Sequence, residues 1–136
     1  MDLGIVGRKA IVCASSRGLG KACAISLAKN GVHVTLNARD ERALAVTAKG
    51  VRTFAPDVDV RTVAGNISDI ECQLALLEAT PDADILINNN GGPPFRDFRE
   101  LERGPMTEGV IMNMITPIEM IKAVIDGMAE RHFGRI

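Results

Sequence analysis

The stretch VCASSRGLGKA, Val12 to Ala22, decides how this chain is read. Gly18 and Gly20 have the spacing of the last two glycines of a G-x-x-x-G-x-G loop, and Ala14 stands where the first would be. Between a strand and a helix, such a loop turns backbone N–H groups and the positive helix end toward a phosphate. Glycine lacks Cβ, so backbone can approach a ligand and the helix can pack close to the sheet. The same pattern also serves as a plain strand-to-helix turn, and the flanking sequence has to decide between the two.

Upstream, Ala10 to Cys13 is a short apolar run without alternation, as expected of a strand buried on both faces of a parallel sheet. Downstream, Leu19 to Lys29 reads as a helix with Leu19, Ala22, Cys23 and Leu27 as its apolar stripe, stopped by Asn30-Gly31. Val32 to Leu36 is a second strand. Asp40 is placed to N-cap a helix that turns Leu44, Thr47, Ala48, Val51, Phe54 and Ala55 inward, runs through Gly50 and stops at Pro56.

Val58 to Val63 reads as a third strand, Asp69 to Glu78 as a third helix with Ile70, Leu74 and Leu77 inward, and Asp84 to Ile87 as a fourth buried strand. A loop rich in Asn, Gly and Pro covers Asn88 to Pro94, and a polar segment continues to Pro105. The last helical pattern covers Thr107 to Arg131, with Pro117 inside it, where a lost hydrogen bond and a kink are expected. The order βαβαβαβα predicts an α/β fold: a doubly wound parallel sheet with right-handed crossovers and helices on both faces. Ligands of this class bind beyond the carboxyl ends of the strands, where the loops after the first, second and fourth strands lie.

The bulk properties fit one domain spanning residues 1–136, with 46% apolar and 24% charged residues. A net charge of −1 gives no reason to expect nucleic acid or an anionic membrane as partner. With 3% aromatics and neither Trp nor Tyr, base-stacking platforms are not expected. Cys13, Cys23 and Cys72 are odd in number, scattered and without a C-x-x-C pair. They argue against a zinc site or a disulfide framework and for a reducing, cytoplasmic setting, with Cys13 and Cys23 as core thiols. No metal cluster is expected. No apolar run approaches the ~20 residues that cross a bilayer.

The end of the second strand sharpens the reading. A site built for NAD carries an acidic residue there for the ribose hydroxyls, whereas this chain has Leu36-Asn37-Ala38-Arg39, a cation and no acid. Arg17 comes from the glycine loop next door. Two guanidiniums converging on one ribose suit a 2′-phosphate, which the planar fork binds bidentately, so NADP is favoured over NAD. The alternative is a pair of solvated surface arginines.

Taken together, these residues resemble the N-terminal half of a short-chain dehydrogenase/reductase, a family of NAD(P)-dependent oxidoreductases with a Rossmann fold. The family's T-G-x-x-x-G-x-G loop matches Cys13-Ala14-Ser15-Ser16-Arg17-Gly18-Leu19-Gly20, and its N-N-A-G motif matches Asn88-Asn89-Asn90-Gly91. Its Asp-Val pair matches Asn66-Ile67, its catalytic Asn matches Asn113, and its G-R-I sequence opening the fifth strand matches Gly134-Arg135-Ile136. Gly91-Gly92-Pro93-Pro94 further resembles the 3-oxoacyl-acyl-carrier-protein reductase-like branch.

The resemblance implies that Ser15 to Gly20 hold the pyrophosphate, Arg17 and Arg39 the 2′-phosphate, Asn66 and Ile67 the adenine, and Asn89, Asn90 and Gly91 the nicotinamide-side ribose. It implies hydride transfer to or from a small carbonyl or alcohol substrate, and a homodimer or homotetramer. The family's catalytic Ser and Tyr-x-x-x-Lys would fall beyond Ile136, and so would the residues that choose the substrate. The 136 residues therefore read as the cofactor-binding portion of a longer enzyme, truncated after the fourth strand and its helix. Ile85, Leu86 and Ile87 would then form an open sheet edge, and Ile118, Ile121, Val124, Ile125 and Met128 the apolar side of the last helix.

Three departures stand out: Cys13-Ala14 for Thr-Gly, Asn66 for Asp, and Asn90 for Ala. If Ala14 needs a positive φ, it carries a strain of roughly 1 kcal/mol or more. Two other readings stay open. One is a non-catalytic NADP(H)-binding module; the other is a degenerate chain that dimerises through its last helix.

Overall fold

The computed structural model describes residues 2–92 and 95–136. Pro93 and Pro94, on which part of the loop reading rests, lie outside the described residues. Strands β1 (Lys9–Val12), β2 (His33–Ala38), β3 (Val60–Ala64) and β4 (Ile85–Ile87) form one parallel sheet in the order β3-β2-β1-β4. Helices α1 (Gly18–Lys29), α2 (Glu41–Phe54) and α3 (Ile70–Ala79) make the crossovers. A short 3-10 turn (Phe98–Glu100) precedes α4 (Arg103–Val110), a π turn (Ile111–Ile115) and α5 (Thr116–Glu130).

Side chains alternate across a strand, so β1 feeds two cores. Ala10 and Val12 pack with Ala24 and Ala28 of α1 and with Leu44, Ala48 and Val51 of α2. Ile11 and Cys13 pack on the opposite face with Leu76 of α3 and Met120, Val124 and Met128 of α5. The result is three layers, helix–sheet–helix. Asp84 fixes the start of β4 to its surroundings through Arg131 (3.3 Å) and Arg8 (3.7 Å), and Lys9 reaches Asp82 at 2.5 Å.

Several expectations need correction. The buried stripe of α1 is Gly20, Ala24 and Ala28, while Leu19 is 80% exposed and Ala22 also faces out. Small residues win because α1 lies close against β1, and larger ones are displaced to its flanks. In α2 the expected face is buried except Phe54, which lies on the surface under the Lys29 ammonium. In α3 the inward residues are Cys72, Gln73 and Leu76, with Ile70 and Leu74 exposed. That helix, IECQLALLEA, is apolar on nearly every side, so periodicity cannot single out the face.

The last helix begins earlier than expected, at Arg103, because Pro105 fits a first turn, where no N–H is needed. Its core side in α5 is Thr116, Met120, Val124 and Met128, with Ile118 and Ile125 exposed. Asp40 caps α2 as expected, its carboxylate accepting from the Ala43 N–H at 3.0 Å. The β4 edge is partly covered: Leu86 N–H donates to Arg135 O at 2.9 Å and Arg135 N–H to Asp84 O at 3.0 Å, laying Arg135 alongside β4 in parallel. That is where a fifth strand of the order 3-2-1-4-5 belongs.

Candidate functional site

At the carboxyl edge of the sheet a cleft of about 270 Å³ is lined by the loops after all four strands. Ser16, Arg17, Gly18, Leu19, Arg39, Asn66, Ile67, Asn89, Asn90 and Gly91 all border it, ten residues that the sequence reading singled out from four separate places. Ala14, Asn37, Ala38 and Gly65 complete the wall.

The loop owes its shape to specific contacts. Gly18 adopts φ +56°, a left-handed conformation natural to glycine. A Cβ on Gly20 would sit 2.4 Å from the Ala14 carbonyl oxygen and 2.9 Å from Asn89 Nδ2, so α1 can lie where it does only with glycine there. Ala14 itself adopts φ +46°, so the strain that was conditional in the sequence is present.

Two candidates sit apart from the cleft surface. Ser15 is fully buried, its N–H donating to Asn37 O at 2.7 Å and its hydroxyl exchanging hydrogen bonds with the Asn37 backbone at 3.1 and 3.2 Å. Gly20 is buried beneath the loop. Asn113 lies elsewhere: it is exposed beside a hollow between Leu101, Pro105, Met106, Gly109, Val110 and Met114, and its Nδ2 donates to Gly109 O at 3.1 Å.

Asn37 is the residue the sequence reading passed over. Its Oδ1 accepts from Ala14 N–H at 3.3 Å, and its Nδ2 faces Val63 O and Gly65 O, each at 3.1 Å, and Cys72 Sγ at 3.2 Å. It thus ties the ends of three strands together under the cleft floor. The signal was present, as an amide among apolar residues at the carboxyl end of HVTLNA. Thr47 of α2 adds a clamp, donating to Ser16 O at 2.9 Å, and Asn89 Nδ2 donates to Ala14 O at 3.1 Å.

Electrostatically the cleft favours an anion. The first turn of α1 faces it without an acidic residue and without a side-chain cap, leaving N–H groups for a ligand. Arg17 and Arg39 are exposed, and among the described residues neither forms an ion pair. Cys13 lies just below, and burial pushes its thiol up to about 12, so it stays protonated and inert. Cys72 is raised as well, chiefly by burial. Among the described residues no helix is long and apolar enough to cross a membrane.

Sheet order, glycine loop and anion-favouring cleft define a Rossmann-type dinucleotide-binding unit. The sequence profile of the family described as short chain dehydrogenase matches residues 8–136, and the chain belongs to that family. It is 35% identical to the human "Inactive hydroxysteroid dehydrogenase-like protein 1" over 96% of this chain and 41% of that protein. L-sorbose reductase from Gluconobacter frateurii, solved with NADPH and L-sorbose, superposes with a TM-score of 0.89 at 29% identity, over 96% of this chain and 51% of that one. YwfH, an NADPH-dependent reductase involved in bacilysin biosynthesis, gives a TM-score of 0.88 at 27% identity, over 96% of this chain and 56% of that one. The chain thus spans about half the length of the curated relatives it matches.

Proposed function

We propose that this chain forms the cofactor-binding half of an NADP-dependent oxidoreductase that moves a hydride between nicotinamide and a carbonyl or alcohol substrate. The observation that carries the reading is that Arg17 of the glycine loop and Arg39 just past β2 border the same cleft, where Ala38 leaves no carboxylate to repel a 2′-phosphate. The NADPH complex of L-sorbose reductase and the NADPH dependence of YwfH support the same cofactor.

Bound there, NADP(H) would supply the hydride chemistry. The chain's own residues would do the holding. Ser16 to Leu19 and the uncapped turn of α1 would receive the pyrophosphate, with Ser15 and Gly20 shaping the loop from beneath. Asn66 and Ile67 would border the adenine, and Asn89, Asn90 and Gly91 the ribose next to the nicotinamide. Asn113, on the helix that follows, would be the one member of a proton relay carried by these residues. A 3-oxoacyl thioester is one carbonyl this reading accommodates, on the resemblance of the Gly91-Gly92 loop. Exposed Val110, Met114 and Ile118 support a homo-oligomer, and three free cysteines support a cytoplasmic setting.

A second reading, a non-catalytic NADP(H)-binding protein, draws on the inactive human relative. Both readings require the 2′-phosphate contact. In the full-length protein, Arg39→Ala should weaken NADPH binding about 10- to 100-fold, as expected for a lost charge-assisted pair, and leave NADH binding within about twofold. Equal losses for both dinucleotides, measured by titration calorimetry, would remove the 2′-phosphate assignment. Turnover of NADPH with a panel of ketones and oxoacyl thioesters separates the enzyme from the module.

A further inference from the structure

Between α4 and α5 the α-type hydrogen-bond ladder is interrupted. Thr116 N–H donates to Ile111 O, five residues back, which makes Ile111–Ile115 a π turn. In an uninterrupted α-helix the carbonyl that Pro117 fails to serve would be that of Asn113, four residues before it. With the π turn the Met112 carbonyl also loses its helical donor. The α-type donor to Met112 O is Thr116 N–H, which is already spent on Ile111, and the π-type donor is Pro117, which has no N–H. Met112 O therefore has no donor from its own helix.

It has one from outside. Asn90 Nδ2 donates to Met112 O at 3.2 Å. The same amide donates to Ser68 Oγ at 3.2 Å, and Ser68 Oγ also accepts from the buried Thr116 hydroxyl at 3.1 Å. Asn90 Oδ1 accepts from Gly91 N–H at 2.8 Å. Every polar atom of the side chain is used, and only a primary amide of this reach offers two donors and an acceptor together. An alanine at 90, as in the motif this loop resembles, offers none.

We propose that Asn90 is a positioning residue: its amide supplies the hydrogen bond that Pro117 cannot, and so fixes the register of the helix segment that presents Asn113. The Asn90 loop borders the cleft, and Ser68 follows the Asn66-Ile67 wall directly. The bonds therefore join two of the cleft's loops to the helix that follows them. The role of the positioned segment rests on the oxidoreductase reading; the register itself does not.

The test is a double-mutant cycle in the full-length protein, Asn90→Ala against Pro117→Ala, read by amide hydrogen exchange across residues 110–120 and by NADPH titration. Asn90→Ala in the parent background should speed exchange in that segment about tenfold, the consequence of one unserved carbonyl. Pro117→Ala restores an N–H to Met112 O, so in that background the same change should move exchange less than about threefold. Asn90→Asp, which keeps the acceptor for Gly91 N–H and loses both donors, should behave as Asn90→Ala does and stands in if the alanine variant does not fold. Equal effects in both backgrounds, or none in either, overturn the proposal, since a general packing role would not depend on residue 117. A parent protein that binds no NADPH while the exchange cycle holds would overturn the cofactor reading and support the register. A flat cycle in a protein that binds NADPH would overturn the register alone.

Discussion

The clearest test of the glycine-loop geometry is Ala14→Gly, because the structure fixes the sign in advance. Ala14 holds φ +46° at the turn out of β1, where its carbonyl accepts from Asn89 Nδ2 at 3.1 Å and its N–H donates to Asn37 Oδ1 at 3.3 Å. Those bonds hold the residue in a left-handed conformation that costs an L-residue with a Cβ about 1–2 kcal/mol. Glycine escapes that cost but loses about 0.5–1 kcal/mol more chain entropy on folding. The balance is a gain of about 0.5–1 kcal/mol, which raises the melting temperature by about 2–4 °C for a domain of this size. Urea unfolding of the full-length protein measures it as a rise in midpoint at constant slope. Gly18→Ala, at φ +56° with open space around its Cα, should shift the midpoint down by a similar amount. A neutral or destabilising Ala14→Gly would mean that the loop does not hold a left-handed residue at 14, and the phosphate cradle built on that turn would have to be redrawn.

Two further outcomes follow from the same neighbourhood. Gly20→Ala places a Cβ 2.4 Å from the Ala14 backbone oxygen, which cannot yield without lifting α1 from the sheet. It should cost about 1–3 kcal/mol and weaken NADPH binding at least tenfold, and an unchanged melting temperature with unchanged affinity would refute the close approach. The buried Cys13 thiol, raised from 9.0 to about 12, contributes stability that is complete below pH 9 and drains away as pH climbs toward 12. The midpoint of Cys13→Ala should therefore fall less over that alkaline range than the parent's; identical pH profiles would refute the burial argument.

The parts of the fold legible in the sequence were those where one physical effect dominates. Ala10 to Cys13 and Asp84 to Ile87 read as buried strands and overlap β1 and β4, and Asp40 with Ala43 N–H forms the expected cap. Helix faces were harder wherever two effects compete. In α1 the periodic stripe through Leu19 and Ala22 lost to Gly20, Ala24 and Ala28, because close approach to the sheet selects small residues over apolar ones. In α3 apolar residues lie on several faces, and polar Gln73 is turned inward, where its Nε2 donates to Ile67 O at 3.1 Å. Pro117 was legible as a break, but the form of the break depended on a donor more than twenty positions away in sequence, on Asn90.

Glycine spacing and the two arginines point to the proposed phosphate site from the sequence because their chemistry is local. The scaffolding beneath is made of amides whose partners come from other strands: Asn37 serves the ends of β1 and β3, Asn89 serves Ala14, and Asn90 serves Ser68 and Met112. Each amide carries two N–H donors and an acceptor, so each can satisfy backbone groups that the ends of strands and a broken helix leave without partners. Replacing any one by an isosteric apolar residue would leave such groups unserved, at about 1–3 kcal/mol each. The loops after β1, β2, β3 and β4 are therefore coupled through side-chain amides. A change at one lip of the cleft, such as Asn90, should accordingly be felt in the helix that carries Asn113 before it is felt in either core.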